Sequence, residues 1–382
     1  MDARALASPS SQRFRDRAIS PDGVIQLTLN HPPPVPEIFN TMVFKALNRV
    51  LAESLPAELM ATHRWMGTDH ERQQGALFVG RRLGVVPDRN RIIVTHSTQA
   101  ALQVLLPGIV GNRRPLAIER LSYSPVRSFA ARYGISVVDV SIDGDGLNPE
   151  AFREICHRKR PIALYLVSTY QNPTTVTMSL GRRQQIAEIA RRYQVRLIED
   201  DIYSLLTESP LPPISSLAPE LSWYLLGTAK SLSAGLRLAF VVAPDVAEAT
   251  RVFWPGLPAT YWMASPISAA LMAELVSNGG DLAILAAVKD ELAARHRLVV
   301  SGLKGKPLAS DPGCLHVWIP LKGASSNEIA AALLEAGVQV AVSASYAGDG
   351  WAPPQAIRIS IGNPEKRSVL EKAMSIVCRA LP

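Results

Sequence analysis

One lysine, Lys230, lies in a loop of small residues, Gly227-Thr-Ala-Lys-Ser-Leu-Ser-Ala-Gly-Leu-Arg237, behind an apolar run from Leu221 to Leu226. A buried strand that delivers a lysine into such a loop offers an amine nucleophile, although an ordinary loop lysine explains this stretch taken alone. Other residues converge on the same need. Glu199-Asp200-Asp201-Ile202-Tyr203 closes the apolar run Val195 to Ile198, and three acids at the end of a buried strand are costly unless each is solvated, paired or used. Asn172-Pro173 follows the run Ile162 to Val167, a turn signal that also offers a side-chain amide. Ser97-Thr98-Gln99 follows Ile92 to Thr95 and opens a helix. Its free N–H groups and hydroxyls suit a phosphate, although plain N-capping explains the same residues. Acids without a nearby histidine would suit Mg²⁺, but no phosphate-loop lysine motif accompanies them.

The elements that must position these residues follow from periodicity. Apolar runs predict strands at 92–95, 116–118, 137–140, 162–167, 195–198, 221–226 and 238–243. Between them, helices are expected at 98–106 (closed by Pro107-Gly108), 125–133 and 149–158, with another capped by Ser179. Continuous apolar strands alternating with amphipathic helices imply an α/β fold with a mostly parallel sheet covered on both faces, which places ligands beyond the strands' carboxyl ends. After Pro255 the texture changes to helices at 266–276 and 282–303, strands at 316–321, 338–342 and 357–361, and a closing helix at 366–381. That order suggests a smaller α+β domain. The expected division is an N-terminal arm and helix (1–55) packing on the small domain, a large domain (56–255) and a small C-terminal domain (256–382). Residues 1–20 read as a loose polar lead, and Asn30-His31-Pro32-Pro33-Pro34 as an extended arm.

Bulk properties exclude several classes. With 382 residues, 47% hydrophobic and 19% charged, the chain can bury a sizeable core and is neither disordered nor fibrous. No secretory leader is expected from the charged residues 1–17, and no apolar stretch of about 18 residues is long enough to span a bilayer. Cys156, Cys314 and Cys378 have neither disulfide nor zinc spacing, so a reducing cytoplasm is the expected location and no metal site is expected. The net charge of +7 comes from scattered arginine pairs without aromatic interleaving, so no nucleic-acid partner is expected. The sequence also lacks a GxGxxG fingerprint.

Pyridoxal 5′-phosphate (PLP) is one ligand that would use all of these residues. Its aldehyde forms a Schiff base with a lysine. Its ring nitrogen needs a carboxylate to stay protonated, its phenolic oxygen needs donors such as Asn172 and Tyr203, and its phosphate needs a helix N-terminus and an arginine. Asn172-Pro173, Asp200-x-x-Tyr203, Lys230 and Arg237 together resemble the fold type I, aspartate-aminotransferase-like PLP enzymes. The similarity is closer to the aminotransferase-like half of bacterial MocR/GntR-type regulators. It rests on Gln171-Asn-Pro-Thr-Thr-Val-Thr-Met-Ser-Leu-Gly-Arg-Arg183, Ile198-Glu-Asp-Asp-Ile-Tyr203, Gly235-Leu-Arg237, Trp262-Met-Ala264 and His316-Val-Trp-Ile-Pro320. It runs from about residue 24 to the end, and the regulators' winged-helix module is expected to be missing.

The resemblance implies roles position by position. Lys230 would hold the Schiff base and shuttle the substrate proton. Asp200, in preference to Asp201, would pair with the ring nitrogen. Tyr203 and Asn172 would contact the phenolic oxygen, and Tyr123 would stack on the ring. Ser97, Thr98, Gln99 and Arg237 would hold the phosphate, while Arg358 and Asn172 would clamp the substrate α-carboxylate. The substrate side chain would meet the arm around Asn30, the Trp262 region and the loop 343–350. Three departures stand out. Gly227 replaces a phosphate-binding serine, with Thr228 as the substitute. Ser97-Thr98 stands where Gly-Ala is usual. The tyrosine that reaches over from a neighbouring subunit has no clear counterpart beyond His63 or Trp65.

The resemblance therefore implies a class I/II aminotransferase, homodimeric with sites at the subunit interface, exchanging amino groups between an amino acid and a 2-oxo acid. The alternatives are a non-catalytic PLP- or amino-acid-sensing effector module and a PLP lyase or decarboxylase.

Overall fold

Strand alternation splits the core into two layers around one sheet. The computed structural model describes residues 23–382 apart from Thr62, Tyr261, Trp262 and Asp349, so the loose lead expected at 1–20 lies outside the described residues. Among these, seven strands stand in the order Ile92–Thr95, Ala239–Val242, Ser222–Gly227, Arg196–Asp200, Ala163–Leu166, Leu116–Glu119, Val137–Val140. From Ser222–Gly227 to Val137–Val140 every pairing is parallel. Ala239–Val242 runs antiparallel to both its neighbours, a direction that apolar periodicity cannot reveal. The sheet is mostly parallel and covered on both faces, as predicted. Leu164, Leu166 and Leu197 pack with Phe152, Ile186 and Ile189, whereas Tyr165 and Ile198 belong to the larger core. Successive residues of a strand point to opposite faces.

Three local expectations need correction. The helix Thr98–Leu105 does not close at Pro107-Gly108; a wider turn, Leu106–Val110, carries it through both. A proline near the start of a new turn loses no needed N–H bond. The strand expected over 338–342 divides, because Val338–Gln339 pairs with Ile25–Gln26 of the arm while Ala341–Val342 pairs with Ala356–Ser360. Val246–Thr260, not anticipated as an element, is a helix that runs through Pro255 and Pro258.

A three-stranded sheet, ordered His316–Pro320, Ala356–Ser360, Ala341–Val342, carries Arg358 on its central strand. The arm is fastened beside it. Leu27 N donates to Gln339 O (2.9 Å) and Ser360 N to Leu27 O (2.8 Å), while Asn363 Nδ2 donates to Gln26 O (2.8 Å). Further on, the arm backbone passes so close to Gly362 that a Cβ there would collide with His31 O. No single helix among the described residues is long and apolar enough to cross a membrane.

Gly362→Ala should therefore push the arm off its seat and lower stability by about 1–3 kcal/mol. Chemical denaturation measures this, and an unchanged midpoint would contradict the close approach.

Candidate active site

Beyond the carboxyl ends of the parallel strands lies a cleft of about 240 Å³. Asn30, Thr98, Tyr123, Asn172, Asp200, Tyr203, Lys230 and Arg358 line it together. Ser97, Gln99 and Arg237 are not among its lining residues. Ser97 Oγ caps the helix by accepting from Ala100 N (3.0 Å), and Gln99 Nε2 donates to the Tyr123 hydroxyl. Thr228 is not brought to the wall, because it is buried and its hydroxyl donates to Leu238 O (3.0 Å). Arg237 is exposed, with Nη2 3.2 Å from His96 Nε2. Its backbone is left-handed, φ 48°, an uncommon conformation for a residue with a Cβ.

The three consecutive acids have three different environments. Glu199 accepts from Ile214 N (3.1 Å), Ser215 N (2.7 Å) and Ser168 Oγ (2.5 Å). Asp201 accepts from Arg82 Nε (3.2 Å) and the Tyr224 hydroxyl (2.8 Å). Asp200 accepts from the Tyr165 hydroxyl (3.0 Å), and its Oδ1 has no hydrogen-bond partner among the described residues. Burial drives the Asp200 carboxyl up to about 7, against the Tyr165 bond; Asp201 adds to the rise and Lys230 opposes it.

Lys230 is half-buried and its Nζ donates to Asn30 O. Burial first, then the Arg358 guanidinium, bring its ammonium down to about 8, against the pull of Asp200. Arg358 itself is buried. Nη1 donates to Asn172 Oδ1 (2.7 Å), Nη2 donates to Thr28 O, and the guanidinium lies 5.3 Å from the Tyr346 ring centroid. Asn172 is carried by a turn in which Thr175 N donates to Gln171 O (2.7 Å).

The profile of aminotransferase class I and II matches residues 41–374, most of the chain. The chain belongs to that family. This aminotransferase-family chain is 27% identical over 315 residues to the uncharacterized HTH-type transcriptional regulator YdeF of Bacillus subtilis, covering 81% of this chain and 67% of that one. It is 31% identical over 172 residues to the 2-aminoadipate transaminase of Thermus thermophilus, covering 44% and 43%. It thus spans less than half of that transaminase and about two thirds of the regulator. Among solved structures, an archaeal alanine:glyoxylate aminotransferase superposes with TM-score 0.84 at 20% identity, covering 99% and 95% of the two chains. The α-aminoadipate aminotransferase LysN of Thermus thermophilus, complexed with N-(5′-phosphopyridoxyl)-L-leucine, gives TM-score 0.82 at 23% identity, with the same coverage. These likenesses show the fold, that of fold type I aminotransferases.

The cofactor of this aminotransferase family is PLP, and the cleft fits it. An unpartnered buried carboxylate oxygen, a lysine displaced toward neutrality and a helix N-terminus with hydroxyls face one space. Several residues around the cleft were missed in the sequence. Tyr165 sits seven residues before Asn172, inside an unbroken apolar run where a tyrosine reads as core. Tyr346 lies in the loop named for the substrate, but only packing shows its ring under Arg358. Behind the strand, Arg82 bonds Asp201, and as part of one of the scattered arginine pairs it carries no signal of burial in the sequence. Trp262 lies outside the described residues. His63 and Trp65 stack on each other, centroids 4.9 Å apart.

Arg82 and Asp201 are both buried, so Arg82→Met should leave an uncompensated carboxylate and destabilise the fold by about 3–5 kcal/mol. Denaturant titration checks this; a loss within experimental error would mean that Asp201 does not need its partner.

Proposed function

We propose that the chain is a PLP-dependent aminotransferase that moves an amino group between an amino acid and a 2-oxo acid in two half-reactions at one site. The observation that carries this is the meeting of Lys230, the unpartnered Asp200 oxygen and Arg358 on one cleft. When bound, PLP supplies an aldehyde that exchanges amines and a ring that draws electrons from the substrate Cα. Lys230 holds the cofactor and, when released, moves the proton at that Cα, a task suited to an amine near neutrality at working pH. Asp200 faces the protonated ring nitrogen, and that positive charge opposes the burial that otherwise raises its carboxyl.

Tyr203 and Asn172, both on the cleft wall, would hold the phenolic oxygen of PLP, and Tyr123 would hold its ring. Ser97, Thr98, Gln99 and Arg237 take the phosphate, while Thr228 remains behind them with its hydroxyl committed to Leu238. Arg358, aligned by Asn172, binds the substrate α-carboxylate through its planar fork, with Asn30 on the substrate side. The division into arm (1–55), cofactor domain (56–255) and small domain (256–382) belongs to this reading. It is supported by the pairing of Ile25–Gln26 with Val338–Gln339. A homodimer belongs to it as well.

The match to HTH-type regulators favours a second reading, in which the same site binds PLP and an amino acid without turnover. Adding a panel of amino acids to the PLP-loaded chain separates the two. Transamination predicts a change in cofactor absorbance together with release of 2-oxo acid, at least about a hundredfold weaker in Lys230→Ala. Absorbance change without oxo acid would leave the sensor, and full activity in Lys230→Ala would overturn the assignment of the lysine.

The pH dependence of loading follows from the same groups. The Lys230 amine becomes neutral as pH rises through about 8, and the Asp200 carboxylate forms as it rises through about 7. PLP uptake by the apo chain should accelerate across that interval and then level off; a rate independent of pH there would contradict both displacements.

A further inference from the structure

His316 opens one of the sequence stretches that carry the family resemblance, yet it does not line the cleft and has no part in the chemistry above. It is fully buried behind Tyr203, the two rings edge to face at 5.8 Å. Its Nε2 lies 3.3 Å from Gln171 O and its Nδ1 lies 2.9 Å from Asn30 Nδ2. The same Asn30 nitrogen lies 3.1 Å from the Tyr203 hydroxyl.

The direction of each bond in this array follows from its fixed end. Gln171 O is a carbonyl and can only accept, so Nε2 carries a proton. Burial, reinforced by the Arg358 guanidinium, holds the imidazolium far below its usual range, so the ring is neutral. Nδ1 is then bare and must accept; the Cys314 thiol, 3.6 Å away, is a further weak donor to it. Asn30 must therefore turn its amide nitrogen, not its oxygen, toward the ring. Tyr203 faces that same nitrogen, so its oxygen accepts and its own O–H is free to point into the cleft. Burial raises the Tyr203 phenol above its usual range, which keeps that proton in place.

We infer that His316 is a positioning residue that acts through Asn30 to make Tyr203 a hydrogen-bond donor toward the ligand in the cleft. This deepens the proposed function and rests on it: the group that receives the bond is the phenolic oxygen of PLP. The carbonyl of Asn30 also accepts from Lys230 Nζ, so one arm residue joins the two cofactor-facing groups. Without the relay, the Tyr203 hydroxyl could donate to a reoriented Asn30 oxygen instead and present only lone pairs to an oxygen that needs a proton.

The test is a double-mutant cycle read as the dissociation constant of PLP from the apo chain. His316→Phe, which keeps a planar ring without its nitrogens, should weaken PLP by about tenfold, the worth of one directed hydrogen bond. In a Tyr203→Phe background the same change should cost less than about twofold, because the group it orients is gone. Asn30→Ala reaches the relay from the arm, should a phenylalanine disturb folding, and should show the same dependence on Tyr203. His316→Gln can accept and donate in similar directions and should restore most of the affinity. Equal losses with and without the Tyr203 hydroxyl would overturn the relay while leaving the cofactor reading intact. A wild-type chain that takes up no PLP would overturn both.

Discussion

Three carboxyl groups in consecutive, almost fully buried positions at the end of one strand are the constraint around which the rest of the structure is arranged. Strand pleating sends Glu199 and Asp201 to one face and Asp200 to the other. On the first face the charges are answered by protein. Arg82, Tyr224, Ser168 and two backbone N–H groups bind them, and the buried Arg183 adds a nearby cation. On the second face Asp200 accepts from the Tyr165 hydroxyl and, among the described residues, is bonded to no arginine, although Oδ1 of both aspartates is without a partner. The strand end thus carries an arginine-paired side and a side without one, and the second faces the cleft.

Much of this was legible in the sequence. Apolar runs located the sheet, and the rule that ligands gather at strand ends brought Asn172, Asp200, Tyr203 and Lys230 into one cleft before any coordinates. The preference for Asp200 over Asp201 came from the family resemblance, through its spacing to Tyr203. Bond networks between distant segments were not legible. Tyr165, Arg82 and Tyr346 each carry ordinary core or surface signals, and their roles arise only from what the fold sets against them. The same applies to strand direction. Ala239–Val242 is as apolar as its parallel neighbours, and nothing in its composition records that it runs the other way. The division of 338–342 between two sheets likewise depends on the arm, more than 300 residues away in sequence.

The arm is the part of the chain whose influence most exceeds its size. Backbone carbonyls of Thr28 and Asn30 accept from Arg358 and Lys230, the two cations of the cleft. Its side-chain amide meets Tyr203 and His316. A segment held by a two-residue strand and a proline run therefore solvates both charges in place of water. Prolines suit this task, since they fix an extended path with little entropy left to lose.

The reversed direction of Ala239–Val242 has a further consequence for the lysine loop. Because the strand returns alongside Ser222–Gly227, the loop leaves and re-enters the sheet at the same edge, its ends tied by Thr228 N to Leu238 O at 3.0 Å. The entropy of closing it is met by sheet pairing and by turns inside the loop, where Leu232 N and Ser233 N donate to Thr228 O at 2.9 and 3.1 Å. Its interior still packs, with Leu232 and Leu236 buried in the main core and glycine, alanine and serine filling the space between. In engineering terms the two strand ends fix the loop's length and register, and the freedom to substitute is confined to exposed positions such as Gly235.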